Sequence, residues 1–304
     1  MEFTELKSAR DGLLLQLAVS EPKETPRAVV QISHGMMEHK ERYFPFMEFL
    51  NRHGFACVIH DHRGHGASVK DMKDLGYFYT EDWTDTVEDL YQVTCYAKKR
   101  FLDLPVWILG HSMGSLILRC YLKEHDDAVQ KVILCGPPTY RSAAGFAAAL
   151  AKRLSDRHGG RYCSRFLYRA SNGMYNRGYD TPGGWLNSDP HEVLKYLEDP
   201  LCNYHFSVNG YYHLFALMQR AYVKKGWQMK NRDLPILILA GSEDPVVQSQ
   251  KKARHLVRFL KERGYRDVTL RLYPKLRHEL LLERKKDQVY ADILAFLEGS
   301  AGGV

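Results

Sequence analysis

Apolar positions fall along this chain in two alternating rhythms. Short runs at residues 28–32, 55–59, 106–109, 132–134, 236–239 and 268–272 have little polar interruption, the pattern of strands covered on both faces. Between them, residues 43–53, 83–101, 115–123, 250–263 and 284–298 repeat their apolar positions at helical spacing. The alternation of strand and helix predicts an α/β fold with a mostly parallel, doubly wound sheet. Ahead of it, residues 3–6 and 13–18 flank an Asp11-Gly12 turn signal and predict an antiparallel β pair.

The rhythm breaks once, between residues 136 and 233, where helical patterns continue without any strand pattern. That stretch contains Asp189-Pro190-His191-Glu192, in which Asp caps a helix, Pro occupies its first turn and Glu closes the box. A compact domain rarely holds so long a structureless loop, so the stretch reads as a helical cap over one end of the sheet. The expected division is a core of residues 1–136 and 229–304 with a cap at 137–228. No internal repeat is present, and low complexity is confined to the small-residue tail at 299–303.

Composition narrows the class. At 304 residues, 45% hydrophobic and 26% charged, the chain buries a substantial core and is neither disordered nor fibrous. No apolar run approaches the roughly 18 to 20 residues of a membrane span, and the charged first ten residues lack a signal peptide's apolar centre. A cytosolic location is expected. Six cysteines lack a repeating spacing and read as reduced packing residues. The net charge of +7 comes from interspersed basic and acidic residues, without a basic tail or a nucleic-acid-binding motif, so no nucleic-acid partner is expected.

Candidate chemistry centres on Val106-Trp107-Ile108-Leu109-Gly110-His111-Ser112-Met113-Gly114-Ser115, a buried-strand pattern running through Gly-x-Ser-x-Gly into a helix. Serine on so sharp a turn is strained and projects its hydroxyl from the sheet's carboxyl edge. Such a hydroxyl needs a base and an acid that orients the base. Asp244 follows the strand at 236–239 and His278 follows the strand at 268–272, so both are expected at the same edge as Ser112. The order Ser112, Asp244, His278 matches the order of this fold type. Glu243 is the rival acid and His255 the rival base, the latter on an amphipathic helix.

Oxyanion donors are expected from the backbone amides of Met36, in His34-Gly35-Met36-Met37-Glu38-His39, and of Met113. Glu38 and His39 read either as support for that loop or as solvated side chains. His60-Asp61-His62-Arg63-Gly64-His65-Gly66 has the residue types of a zinc site, but its glycines suit a tight turn after a strand. A structural role is expected there, with no metal and no cofactor.

Taken together these motifs, with Asp61-His62-Arg63-Gly64-His65-Gly66-Ala67-Ser68 and Gly241-Ser242-Glu243-Asp244-Pro245-Val246, give a chain that resembles the α/β-hydrolase superfamily. Within it, the resemblance is to the monoacylglycerol lipase and bacterial lysophospholipase group, the serine aminopeptidase-like hydrolases. It implies a metal-free serine hydrolase with Ser112 as nucleophile, His278 as base and acid, Asp244 orienting it, and the Met36 and Met113 amides as oxyanion hole. Gly110, His111 and Gly114 complete the nucleophile elbow. Two positions depart from the family's habit: Met36 stands where a small residue is frequent, and Ser115 where glycine is common. The implied substrate is a small acyl ester; a peptidase or thioesterase with the same triad, a silent ligand-binding protein on this scaffold, and a metal hydrolase using His60, His62 and His65 are the rivals. Aromatic and apolar residues of the cap, among them Phe146, Tyr211, Phe215 and Met218, serve either an acyl chain or the cap's own core. Arg141, Lys152, Arg153 and Arg157, beside the apolar segment 146–150, offer contact with an anionic lipid surface.

Overall fold

A computed structural model describes residues 1–299; the tail from residue 300 onward, where most of the small-residue segment falls, lies outside the described residues. Eight strands form one sheet: β1 (Glu2–Lys7), β2 (Leu14–Ser20), β3 (Ala28–Ser33), β4 (Phe55–His60), β5 (Val106–His111), β6 (Lys131–Cys135), β7 (Ile236–Gly241) and β8 (Val268–Tyr273). Their order is β1-β2-β4-β3-β5-β6-β7-β8. The first pair is antiparallel, as the Asp11-Gly12 turn predicts, with Leu6 opposite Leu15 and Gly12 at φ 78°. β2 also runs antiparallel to β4, and from β4 to β8 all neighbours are parallel.

The strands carry apolar residues on both faces because each face meets its own helical layer. Val30, Ile32, Leu109, Ile133, Leu237 and Leu239 pack with α1 (Phe44–Arg52) and α10 (Lys286–Glu298). Their alternates Val29, Ile108, Val132, Ile236 and Ile238 pack with α2 (Thr84–Arg100), α3 (Met113–His125) and α9 (Gln250–Arg263). Period-two alternation is thus present but invisible in hydropathy, since both sets are apolar. β8 departs from the expected pattern: it is an edge strand, buried fully only at Val268 and Tyr273.

Between β6 and β7 lie five helices, α4 (Ala144–His158), α5 (Arg165–Ala170), α6 (Asn172–Tyr175), α7 (Pro190–Glu198) and α8 (Val208–Arg220), with no strand among them. Asp189 caps α7 by accepting from the His191 amide at 3.0 Å, and Pro190 sits in the first turn. Glu192 does not close a capping box; its carboxylate accepts from Lys195 Nζ at 2.7 Å. The insertion is bound to the loop after β4: Ser207 Oγ donates to the Gly76 carbonyl at 2.6 Å, and Asn209 Oδ1 accepts from the Phe78 amide at 2.9 Å. Both links use polar side chains that are buried, Ser207 and Asn209.

Candidate active site

β5 ends at His111 and α3 begins at Met113, leaving Ser112 alone in the turn at φ 50°, ψ −117°. A residue with a side chain is strained there, and the neighbouring structure must hold it. Glycine is required on both sides: a Cβ on Gly110 would lie 2.7 Å from the Gly114 carbonyl oxygen, and one on Gly114 only 2.1 Å from that of Ser33. The Ser112 amide donates to the Cys135 carbonyl at 3.0 Å, and Ser115 Oγ donates to the Ser112 carbonyl at 2.7 Å. The hydroxyl of Ser115 thereby ties down the turn's own peptide.

The loops after β7 and β8 approach the same turn. His278 Nε2 lies 2.8 Å from Ser112 Oγ, and His278 Nδ1 lies 2.8 Å from Asp244 Oδ2. An ionised carboxylate only accepts, so the imidazole proton belongs on Nδ1 and Nε2 is left to accept from the serine hydroxyl. The other Asp244 oxygen accepts from the amides of Val246 at 2.8 Å and Val247 at 3.4 Å. Burial alone would lower the pKa of His278, but the adjacent Asp244 charge and hydrogen bond outweigh it and raise the pKa. The rivals lie elsewhere: Glu243 is exposed beside Asp244, and His255 is exposed on α9.

Met113 is the first residue of α3, so its amide is among those a helix leaves without an internal partner. Met36 follows Gly35, where an added Cβ would lie 3.1 Å from Ser112 Cβ. Both methionines border the cavity into which Ser112 opens, a cleft whose empty space, open mouth included, is about 870 Å³. One part of its wall is apolar, with Ala170, Met174, Leu214, Phe215, Met218 and Val246; another is polar, with Glu38, Arg42, His111 and Glu279.

The sequence profile described as serine aminopeptidase, S33, matches residues 24–285. The chain belongs to this hydrolase family. It is 26% identical over 292 residues to a monoacylglycerol lipase of Mycolicibacterium smegmatis, covering 94% of this chain and 93% of that protein. It is 29% identical to the monoglyceride lipase of Rattus norvegicus, covering 89% and 81%. Among solved structures, a carboxyl esterase from Bacillus coagulans in complex with glycerol aligns with a TM-score of 0.90, at 26% identity and 98% coverage of both chains.

Around the serine turn of this S33 hydrolase lies a charged network that sequence reasoning only half anticipated. Glu38 and His39 are buried, not solvated. Glu38 accepts from the Gly35 amide at 2.5 Å, from Tyr43 Oη at 2.9 Å and from Arg42 at 2.9 Å. Arg42 also donates to Glu279 at 2.7 Å, next to His278. Burial opposes ionisation of Glu38, yet the His111 ring, protonated at the low pH where Glu38 titrates, together with Arg42, His34 and the Gly35 amide, holds its pKa down at about 2. Arg42 and Glu38 share the four-residue spacing of an ion pair, a signal present in the sequence; Glu279 and Trp185 are joined to the site only by folding. The Trp185 ring packs 5.3 Å from that of His278. His111 is buried and its pKa is lowered to about 4, chiefly by desolvation, so it is uncharged near neutrality.

The histidine-rich turn is packed tight. Asp61 accepts from Lys40 Nζ at 2.6 Å and from the Ala67 amide at 2.9 Å, and Arg63 pairs with Asp89 at 2.7 Å. His62 Nε2 contacts Ser33 Oγ at 2.9 Å, His65 Nδ1 the Arg63 carbonyl at 3.0 Å. Among the described residues, the side-chain groups close enough to hold a cation are His39, Asp199 and Cys202, and Glu88, Glu124 and His125; neither includes His60, His62 or His65. The cysteines are all free, but Cys95 and Cys163 are exposed, which corrects their reading as packing residues. Among the described residues no helix is long and apolar enough to cross a membrane.

Proposed function

We propose that this chain is a carboxylic-ester hydrolase acting on monoacylglycerol- or lysophospholipid-type acyl esters through an acyl-enzyme. The observation that carries the reading is the unbroken series Ser112, His278, Asp244, joined by two 2.8 Å contacts on the wall of an amphipathic cavity. Ser112 Oγ attacks the ester carbonyl as His278 Nε2 takes its proton, and Asp244 stabilises the imidazolium that forms. The tetrahedral oxyanion meets the Met36 and Met113 amides. Its collapse expels the alcohol, protonated by His278; water then enters, gives its proton to the same nitrogen, and releases the acid.

The relatives named above for lipase or esterase activity support the ester over the amide. The apolar wall suits an acyl chain, while Glu38, Arg42 and Glu279 suit hydroxyls on the alcohol. Residues 137–228 act in this reading as the cap that closes the acyl site. Phe146 is 76% and Phe166 64% exposed on it, close in sequence to Lys152, Arg153 and Arg165, a composition suited to an anionic lipid surface.

Stoichiometric labelling by a fluorophosphonate probe, lost in Ser112→Ala, is the expected result; labelling that persists in the variant removes Ser112 as nucleophile. Turnover of a long-chain monoacylglycerol should exceed that of matched acyl thioester and aminoacyl amide. Preference for the amide would make the chain a peptidase instead.

A further inference from the structure

The cavity beside Ser112 is bordered by two arginines with different surroundings. Arg42 is neutralised twice, by Glu38 at 2.9 Å and Glu279 at 2.7 Å. Arg141, between β6 and α4, has no carboxylate partner among the described residues. Among the described residues its side-chain hydrogen bond goes to a neutral group: Nη2 donates to Tyr175 Oη at 2.9 Å, with the guanidinium 5.5 Å from the Tyr175 ring centre. Its Nε is buried without a hydrogen-bond partner among the described residues. The carboxylates that line the same cleft, Glu38 and Glu279, are committed to Arg42, and Asp244, behind His278, is committed to that ring and two amides.

A permanently charged group that is part-buried on an apolar wall loses hydration and regains it only through a counter-charge or strong acceptors. The same wall carries Pro138 and Val246, whose side chains have no acceptor, and Met218, whose thioether is only a weak one. A ligand in the cleft can bring the missing partner. We propose that Arg141 forms a subsite for an anionic group, a carboxylate or a phosphate, carried on the same molecule as the scissile ester. This deepens the ester-hydrolase reading and rests on it: the preferred esters are those with a negative charge within reach of Arg141.

The two sources of that charge occupy different parts of the substrate. A phosphate belongs to the alcohol side and a carboxylate to the far end of the acyl chain. Binding is therefore compared by calorimetry in Ser112→Ala protein, with three medium-chain ligands below their micelle concentrations: a neutral monoacylglycerol, the same molecule phosphorylated on glycerol, and the same molecule with a terminal acyl carboxylate. With Arg141 present, at least one anionic ligand should bind about tenfold more tightly than the neutral one, since charge-assisted bidentate contacts are the strong ones.

Adding Arg141→Gln should remove that preference, and Arg141→Lys should restore part of it. Which anionic ligand responds assigns the subsite to the alcohol or the acyl side. Equal affinities for all three ligands with Arg141 in place overturn the proposal, whether or not the Arg141 variants fold, as does a preference that survives Arg141→Gln. Turnover of the neutral monoacylglycerol by the unsubstituted protein tests the ester reading separately, because it needs no anion.

Discussion

Replacing Glu38 by Gln removes one negative charge from the centre of the network while keeping its shape. The carboxylate is 4% exposed and accepts from Gly35, Tyr43 and Arg42. Its pKa stands at about 2 against an ordinary 4.5, a depression of about 2.5. At about 1.4 kcal/mol per unit the full depression corresponds to on the order of 3 kcal/mol, an upper bound near neutral pH, where His111 is uncharged and Arg42 and the Gly35 amide remain. Because Arg42 keeps Glu279 as a partner, the loss stays below the roughly 3 to 5 kcal/mol of a buried charge left unpaired. The sign follows from the direction of the shift: because the folded value is depressed, the contribution is complete above the ordinary pKa and disappears as pH falls toward the folded one. Urea unfolding at about pH 7 should place the variant about 1 to 3 kcal/mol below the parent, with the gap narrowing below about pH 4.5. Ester turnover should fall as well, since Gly35 leads directly into Met36. A variant as stable as the parent at neutral pH, or a gap that stays constant on acidification, would refute this account of the network.

Two further outcomes are expected. His60 and His65 have pKa values lowered to about 3, and His111 and His213 to about 4, in each case chiefly by burial. The unfolded chain therefore takes up protons first, so stability is complete above about pH 6.5 and declines below it, by on the order of 2 kcal/mol for each of these histidines at about pH 5, offset in part by His278, whose raised pKa acts the other way. A melting temperature unchanged between about pH 7.5 and 5 would contradict this. If the cap rests on anionic lipid, vesicle flotation should recover more protein with anionic than with neutral vesicles, and less at high salt; equal recovery sinks that contact.

Much of the scaffold was legible along the chain because strands covered on both faces and amphipathic helices have local signatures. The helix at Gln250–Arg263 coincides with its expected span, and the helical break in the alternation falls between β6 and β7. The edge position of β8 was not legible, since a hydropathy run does not tell which strand has a neighbour. Glu38 shows the same limit. Its residue type and its spacing to Arg42 are local facts, whereas its contacts with Tyr43 and His111, and the link through Arg42 to the distant Glu279, come from folding.

The amino-acid sequence by itself determined the α/β alternation, the glycines that allow a strained turn at Ser112, and the chain order of Ser112, Asp244 and His278. These follow from backbone sterics and from which segments must avoid water, and both act over a few residues. Only the tertiary structure decided that those three side chains stand 2.8 Å apart in series, that Trp185 lies against His278, and that Arg141 borders the cavity with no counter-charge among the described residues. Such relations join residues separated by tens to hundreds of positions, and they exist only once the sheet has brought its loops to one edge.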